Sequence, residues 1–184
     1  MVGGTTPWST AWSVGRLLSL RWPYTADMTA SMTAALERGV AAHAACEAYD
    51  KGEGYAPHPD IAPYLSAWKD YTRHHTPSWN EDGVEHEFDS GEHGFHGIID
   101  RLGSVRGDAC VELKTSARGG PSHPRTAIQL AAYTLAYYGR VRAARIKRLE
   151  VQLRADGTYK LYTHDNLADF AVLDALLDIG LRIR

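Results

Sequence analysis

The sequence predicts an α/β fold, and two observations carry that prediction. Segments of strand-like alternation at residues 84–88, 95–105, 111–114 and 149–162 are interleaved with segments of helical spacing at 37–49, 64–75, 126–138 and 165–181. Glycine- and proline-rich turn chemistry falls between them, as at Arg106-Gly107-Asp108, Gly119-Gly120-Pro121 and Asp156-Gly157. At the N-terminus, Trp8, Trp12, Leu17, Leu18 and Trp22 form a short helical cover that Trp22-Pro23-Tyr24 breaks. These aromatics could stack on bases, but packing on the core is the simpler use. Residues 37–49 are rich in alanine and strong helix formers. Residues 55–63 hold three prolines and read as a loop, after which Tyr64, Leu65, Trp68 and Tyr71 make the apolar stripe of a helix.

The strand at 84–88 alternates and leads into the one at 95–105, and the Arg106-Gly107-Asp108 turn folds the next strand back against it. Residues 117–125 contain Gly119-Gly120-Pro121 and Pro124, which predicts an irregular, mobile loop. Residues 126–138 lack Gly and Pro, and Ile128, Ala131, Ala132, Leu135 and Ala136 share one helical face. Residues 149–162 read as a hairpin. The last segment has an Asp or Asn cap and Leu167, Phe170, Leu173, Leu176 and Leu177 at helical spacing, the pattern of an amphipathic helix. With 184 residues, 44% hydrophobic content and five Trp, one domain over 1–184 is expected, with no repeat or interdomain linker.

The chemistry concentrates in Gly97-Ile98-Ile99-Asp100 and Val111-Glu112-Leu113-Lys114. The two-residue strand period sends Glu112 and Lys114 out of one face and Val111 and Leu113 into the core, and the hairpin can bring Asp100 against Glu112. Two carboxylates make a hard oxygen site suited to Mg2+ or Mn2+, which binds a phosphate oxygen and makes a coordinated water more acidic. Lys114 adds a compact cation that can orient or help deprotonate the attacking water, or stabilise a developing oxyanion. Taken alone, a Glu-x-Lys pair on a strand is a solvated face.

Asp100, Glu112-Leu113-Lys114 with Thr115-Ser116 behind it, and Gln129-Leu130-Ala131-Ala132-Tyr133 resemble the PD-(D/E)xK nuclease superfamily, in particular its RecB-like exonuclease branch. Upstream, Glu37-Arg38-Gly39-Val40-Ala41-Ala42-His43 looks like that branch's Gly-x-x-x-His helix. The resemblance spans residues 37–139. It implies a restriction-endonuclease-like core, a mixed β-sheet flanked by helices, with His43, Asp100, Glu112 and the Leu113 carbonyl as metal ligands. It also implies that Lys114 is the catalytic lysine and that Gln129 and Tyr133 line the active site from a helix. Their spacing of four agrees, since one amide and one phenol so placed reach the same pocket. Glu87 is a candidate support for the metal shell, although the polar outer face of a strand explains Glu85 and Glu87 equally well. His86, His93 and His96 lack a Cys partner and match no compact structural zinc pattern.

Net charge is only −2, which argues against a generally sticky polyanion binder and for a local basic surface. Two clusters supply candidate DNA contacts: Arg118, His123 and Arg125 around the loop after the catalytic strand, and Arg140, Arg142, Arg145, Lys147 and Arg148 after the Gln129 helix. For the second, a solvated helix end and strand start is an equal reading. Cys46 and Cys110 are too few for a four-cysteine iron–sulfur cluster. The apolar runs are too short for a membrane span and no secretory signal is visible, so a bacterial cytoplasm, or a host's if phage-encoded, is expected.

The expected activity is a metal-dependent DNA exonuclease in recombination, repair or phage DNA metabolism, acting on DNA with free ends. A structure-selective, junction resolvase-like endonuclease is the runner-up, and a non-catalytic DNA-end-binding module is a reading from another class. A recombinase, helicase or single-strand-binding partner, and an oligomer, remain open.

Overall fold

A computed structural model of the chain describes residues 11–23 and 29–183 and builds these segments into a six-stranded mixed sheet with helices on both faces. The elements run β1 (Trp12–Ser13), α1 (Val14–Ser19), α2 (Ala30–Asp50), α3 (Ala62–His75), β2 (Ser78–Ser90), β3 (Phe95–Ser104) and β4 (Asp108–Ser116). They continue through α4 (Pro124–Ala143), β5 (Lys147–Arg154), β6 (Tyr159–Thr163) and α5 (Ala168–Arg182). Trp8 and Tyr24, read as part of the N-terminal cover and its break, lie outside the described residues. Trp12, Leu17 and Leu18 are buried in the core, so these members of the cover pack.

Strands β2, β3 and β4 form an antiparallel meander, and α4 crosses over to bring β5 parallel to β4 before β6 closes the edge as a hairpin. The β3–β4 turn places Arg106 at φ 53° and Gly107 at φ 116°, the left-handed backbone that a tight hairpin turn requires. β2 begins earlier than its alternation suggested and carries a register irregularity between Trp79 and Val84. Gly83 makes that approach feasible, because a Cβ there would sit 2.2 Å from the Leu102 carbonyl oxygen.

Two cores flank the sheet. On one face α1, α4 and α5 bury Leu17, Leu130, Leu135, Phe170 and Leu173 against Phe95, Ile99 and Leu102. On the other, α2 and α3 bury Ala45, Cys46, Tyr64, Trp68 and Tyr71 against Val111, Leu113 and Val151. The helix predicted from 37 starts at Ala30, where Thr29 caps it by accepting from the Met32 N–H. The terminal helix is shorter than read, starting at Ala168, whose N–H the Asn166 side chain accepts. α4 runs through the predicted 126–138 and breaks at Gly139, which lies at φ 71°. Among the described residues no helix is long and apolar enough to cross a membrane.

Candidate active site

The β3–β4 ladder is regular from Ser104↔Asp108 to Arg101↔Val111 and then opens. At the next position the Asp100 side chain takes the place of a backbone acceptor: its Oδ2 accepts the Leu113 N–H at 2.6 Å. Ile99 and Leu102, three apart, both enter the α4-side core, so side-chain alternation breaks at Asp100–Arg101 and frees Asp100 to face α2. There it meets His43, whose Nδ1 lies 3.5 Å from Asp100 Oδ1 and whose Nε2 lies 3.2 Å from the Leu113 carbonyl oxygen. Both neighbours accept, so both ring nitrogens donate and the ring is an imidazolium. Burial opposes that charge, but the charge of Asp100 and the hydrogen bond to it prevail and raise the His43 pKa to about 9. Asp100, though buried, is held below the usual carboxylate range by His43, Lys114 and the Leu113 N–H.

On the α4 side, Lys114 Nζ donates to Glu112 Oε1 at 2.5 Å and to Gln129 Oε1 at 3.2 Å. Gln129 Nε2 donates to Glu112 Oε1 at 2.8 Å and to the Tyr133 hydroxyl at 2.8 Å. Burial and the charge of Asp100 push Glu112 upward, whereas burial of Lys114 is outweighed by Glu112 and Asp100, which keep it an ammonium. Glu112 Oε2 is buried and has no hydrogen-bond partner. The residues named from the sequence, His43, Asp100, Glu112, Leu113, Lys114, Gln129 and Tyr133, are thus brought together by geometry.

The structure corrects three placements. Glu87 is exposed, and Glu85 stands in the cluster instead, with one ligand atom each of Glu85, His43 and Asp100 within 4.8 Å of one another. Two strand residues so spaced should share a face, but Glu85 lies at φ 52°, which breaks the alternation. Arg140 and Arg142 do not border the site. Arg140 pairs with Asp174 and Arg142 with Asp108, 2.7 Å away, at the opposite end of β4, roughly 20 Å along the strand from Lys114. Finally, the loop over 117–123 is tethered: the Tyr162 hydroxyl donates to the Gly120 carbonyl and Ser122 bonds to Glu150. His123 caps α4, its ring accepting the Arg125 N–H.

Two depressions meet at Lys114 and Thr115. One of about 710 Å3 is lined by Lys114, Gly119, Gly120, Arg125, Gln129 and Tyr133. The other, about 640 Å3 and mostly apolar, runs between α2 and Ile98 beside His43 and Glu85. Arg125 lies in the first cavity and also bonds to the Gly15 carbonyl, while Arg118 is exposed on the adjoining loop. Sequence reading missed Glu150 and Gln152, which also face the first cavity. A signal existed, since Leu149-Glu150-Val151-Gln152-Leu153 repeats the apolar–polar alternation of Val111-Glu112-Leu113-Lys114. Glu150 lies opposite Glu112 in the parallel β4–β5 register.

A carboxylate-rich notch in a mixed sheet, with a lysine two residues beyond one acid, defines a nuclease-like metallohydrolase architecture. The family model of the PD-(D/E)XK nuclease superfamily matches residues 57–174, and the chain belongs to that superfamily. Its fold is therefore the restriction-endonuclease-like one, and its members are nucleases that use divalent metal ions. A solved structure described as "Crystal structure of SSO0001" is similar at 15% identity and a TM-score of 0.40, covering 93% of this chain and 84% of that one. No curated protein matches the chain. The residues fit a divalent ion: the donors are hard, Asp100 and the Leu113 carbonyl already hold a cationic ring, and buried Glu112 Oε2 lacks a partner.

Proposed function

We propose that the protein is a DNA exonuclease that hydrolyses phosphodiester bonds with Mg2+ or Mn2+. The observation that carries the reading is the unpartnered, buried Glu112 Oε2 beside a lysine that is still an ammonium and reaches the cleft. Asp100, Glu112 and the Leu113 carbonyl would hold the ion, with His43 joining after it gives up its proton and Glu85 behind. The bound ion supplies charge neutralisation at the phosphate and a more acidic water. Lys114 contributes as a fixed positive charge beside the reacting phosphate, because its carboxylate neighbours favour the protonated form. Gln129 bonds to both the Lys114 ammonium and Glu112 and so fixes one against the other, and its amide also donates to the Tyr133 hydroxyl.

The preference for ends rests on access. Gly119, Gly120 and Pro121 line the cavity that also holds Lys114, and Tyr162 and Glu150 pin this stretch in place. A strand entering by its terminus avoids displacing that tether. Arg125 lines the cavity and Arg118 is exposed on the adjoining loop, and both would hold terminal phosphates, while no element among the described residues resembles a separate sequence-reading module. We place the activity in recombination, repair or phage DNA metabolism. The test is labelled linear and covalently closed circular DNA incubated with Mg2+, Mn2+ or neither. Linear duplex should shorten from its ends while circles survive, and circles nicked as fast as linear DNA shortens would replace the reading with an endonuclease.

A further inference from the structure

Beyond Lys114 the charge on the cleft face of the sheet changes sign. In the parallel β4–β5 register Glu112 stands opposite Glu150, Lys114 opposite Gln152 and Ser116 opposite Arg154. Residues two apart on a strand share a face, so acid, amide and guanidinium follow one another along β5 beside acid, amine and hydroxyl along β4. Lys114, Ser116 and Gln152 all line the first cavity. Within four residues the cleft therefore passes from an end that suits a cation to an end that suits an anion.

Arg154 also differs from the arginines elsewhere in the fold. Buried Arg101 and Arg148 are closed by carboxylates, and even exposed Arg140 and Arg142 pair with acids. Half-buried Arg154 makes no ion pair among the described residues, and its Nε is buried without a hydrogen-bond partner. The nearby Asp156 carboxylate is engaged instead by the Thr158 N–H at 2.9 Å and the Thr158 hydroxyl at 2.7 Å. The Ser116 hydroxyl likewise has no partner among the described residues. Gly119 sets the guanidinium at the cavity wall: it lines the cavity at φ 72°, and a Cβ there would lie 3.2 Å from Arg154 Nε and 3.3 Å from Cζ. A buried donor left unmet is costly, and an acceptor from outside the chain removes that cost.

We propose that Arg154 and the Ser116 hydroxyl bind the DNA phosphate next to the one being cleaved. Ser116 lies two residues past Lys114 on the same strand face, roughly 7 Å away, which is one nucleotide step in an extended strand. The planar guanidinium matches a phosphate with paired donors, and the hydroxyl across the ladder adds another. The assignment rests on the nuclease reading above. It deepens that reading by fixing the direction in which the strand leaves Lys114, along β4 towards its C-terminal end.

The experiment pairs protein variants with altered DNA. Labelled oligonucleotides, in which the phosphates near one end are replaced singly by neutral methylphosphonate, are bound to the full-length Asp100→Asn protein with and without Arg154→Ala. Arg154→Ala should weaken binding of unmodified DNA by about tenfold or more and lower the slope of log affinity against log salt by about 0.7–0.9. Arg154→Lys should restore the slope but not the full affinity. One methylphosphonate position should cost the Asp100→Asn protein several-fold and cost the Arg154→Ala version nothing, with Ser116→Ala showing a smaller loss at that position. In an otherwise wild-type chain Arg154→Ala should leave Mn2+ affinity unchanged. Equal methylphosphonate penalties in both proteins, or a lowered melting temperature with an unchanged salt slope, would make Arg154 a prop of the β5–β6 hairpin and end the proposal. If wild type cleaves DNA and the coupling is missing, only this inference falls. If wild type cleaves no DNA with any metal, the nuclease reading falls, and a coupling still present would leave Arg154 as a phosphate-binding residue.

Discussion

Two buried charge clusters stand on opposite faces of the sheet, and they differ in what surrounds them. In the first, fully buried Arg101 donates to Asp50 at 2.6 Å and to Glu85 at 2.8 Å, Asp50 accepts from the Trp68 indole, and Trp68 stacks on Tyr71 and Trp79. In the second, Lys114 donates to Glu112, but its side chain is 37% exposed and opens onto a cavity. Each leaves one atom unpaired, a donor on Arg101 and an acceptor on Glu112. The orphan donor belongs to a guanidinium 5.6 Å from the Trp68 ring in the aromatic cluster, whereas the orphan acceptor lies beside Lys114, whose side chain opens onto the cavity. Buried ion pairs are therefore not equal evidence of function. Access and the sign of the unmet group separate a structural pair from a reactive one. Glu85 links the two, bonding to Arg101 and standing beside His43 and Asp100.

Breaking the open cluster should cost chemistry, and breaking the closed one should cost stability. Asp100→Asn is expected to abolish cleavage with its melting temperature little changed, and Mn2+ titration should show weakened binding; unchanged affinity in both Asp100→Asn and Glu112→Gln would remove the metal assignment. Arg101→Met should destabilise the fold by about 3–5 kcal/mol, since Asp50 would be left buried without its cation, and a denaturant melt reads this directly. Lys114→Ala should retain Mn2+ affinity yet lose roughly a hundredfold or more in turnover. Cleavage within a few-fold of wild type would make Lys114 an ordinary strand residue.

A pH titration sharpens the contrast further. His43 is protonated below about 9, and a metal must displace that proton, so Mn2+ affinity should rise with pH through the neutral range and level off only beyond about 9. The slope, roughly tenfold per pH unit for each proton released, should fall in His43→Ala. The smallest effect is expected from Arg140→Ala and Arg142→Ala. Both guanidinium groups are exposed, paired with acids and remote from Lys114, so DNA binding and its salt dependence should barely move. Arg118→Ala, on the loop by the cleft, should weaken end binding in a salt-sensitive way.

Much of the frame was legible in the chain because its signals are local. Alternation around Val111-Glu112-Leu113-Lys114 put the acid and the lysine on one face, and a spacing of four put Gln129 and Tyr133 on one helical edge. Hairpin turn residues placed Asp100 near Glu112 for the same reason. What the tertiary structure decided is where local rules break or where distant strands become neighbours. The positive φ at Glu85 exchanged it for Glu87, since no sequence period reports a left-handed residue inside a strand. The α4 crossover set Glu150 and Gln152 beside Glu112 and Lys114, a parallel register that nothing in either segment encodes alone. The fate of the arginines was decided the same way, because Asp108 and Asp174 reach Arg142 and Arg140 only after folding. Side-chain period is a property of a short backbone stretch and can be read from it, whereas charge pairing depends on which surfaces the packed sheet brings within a few ångströms.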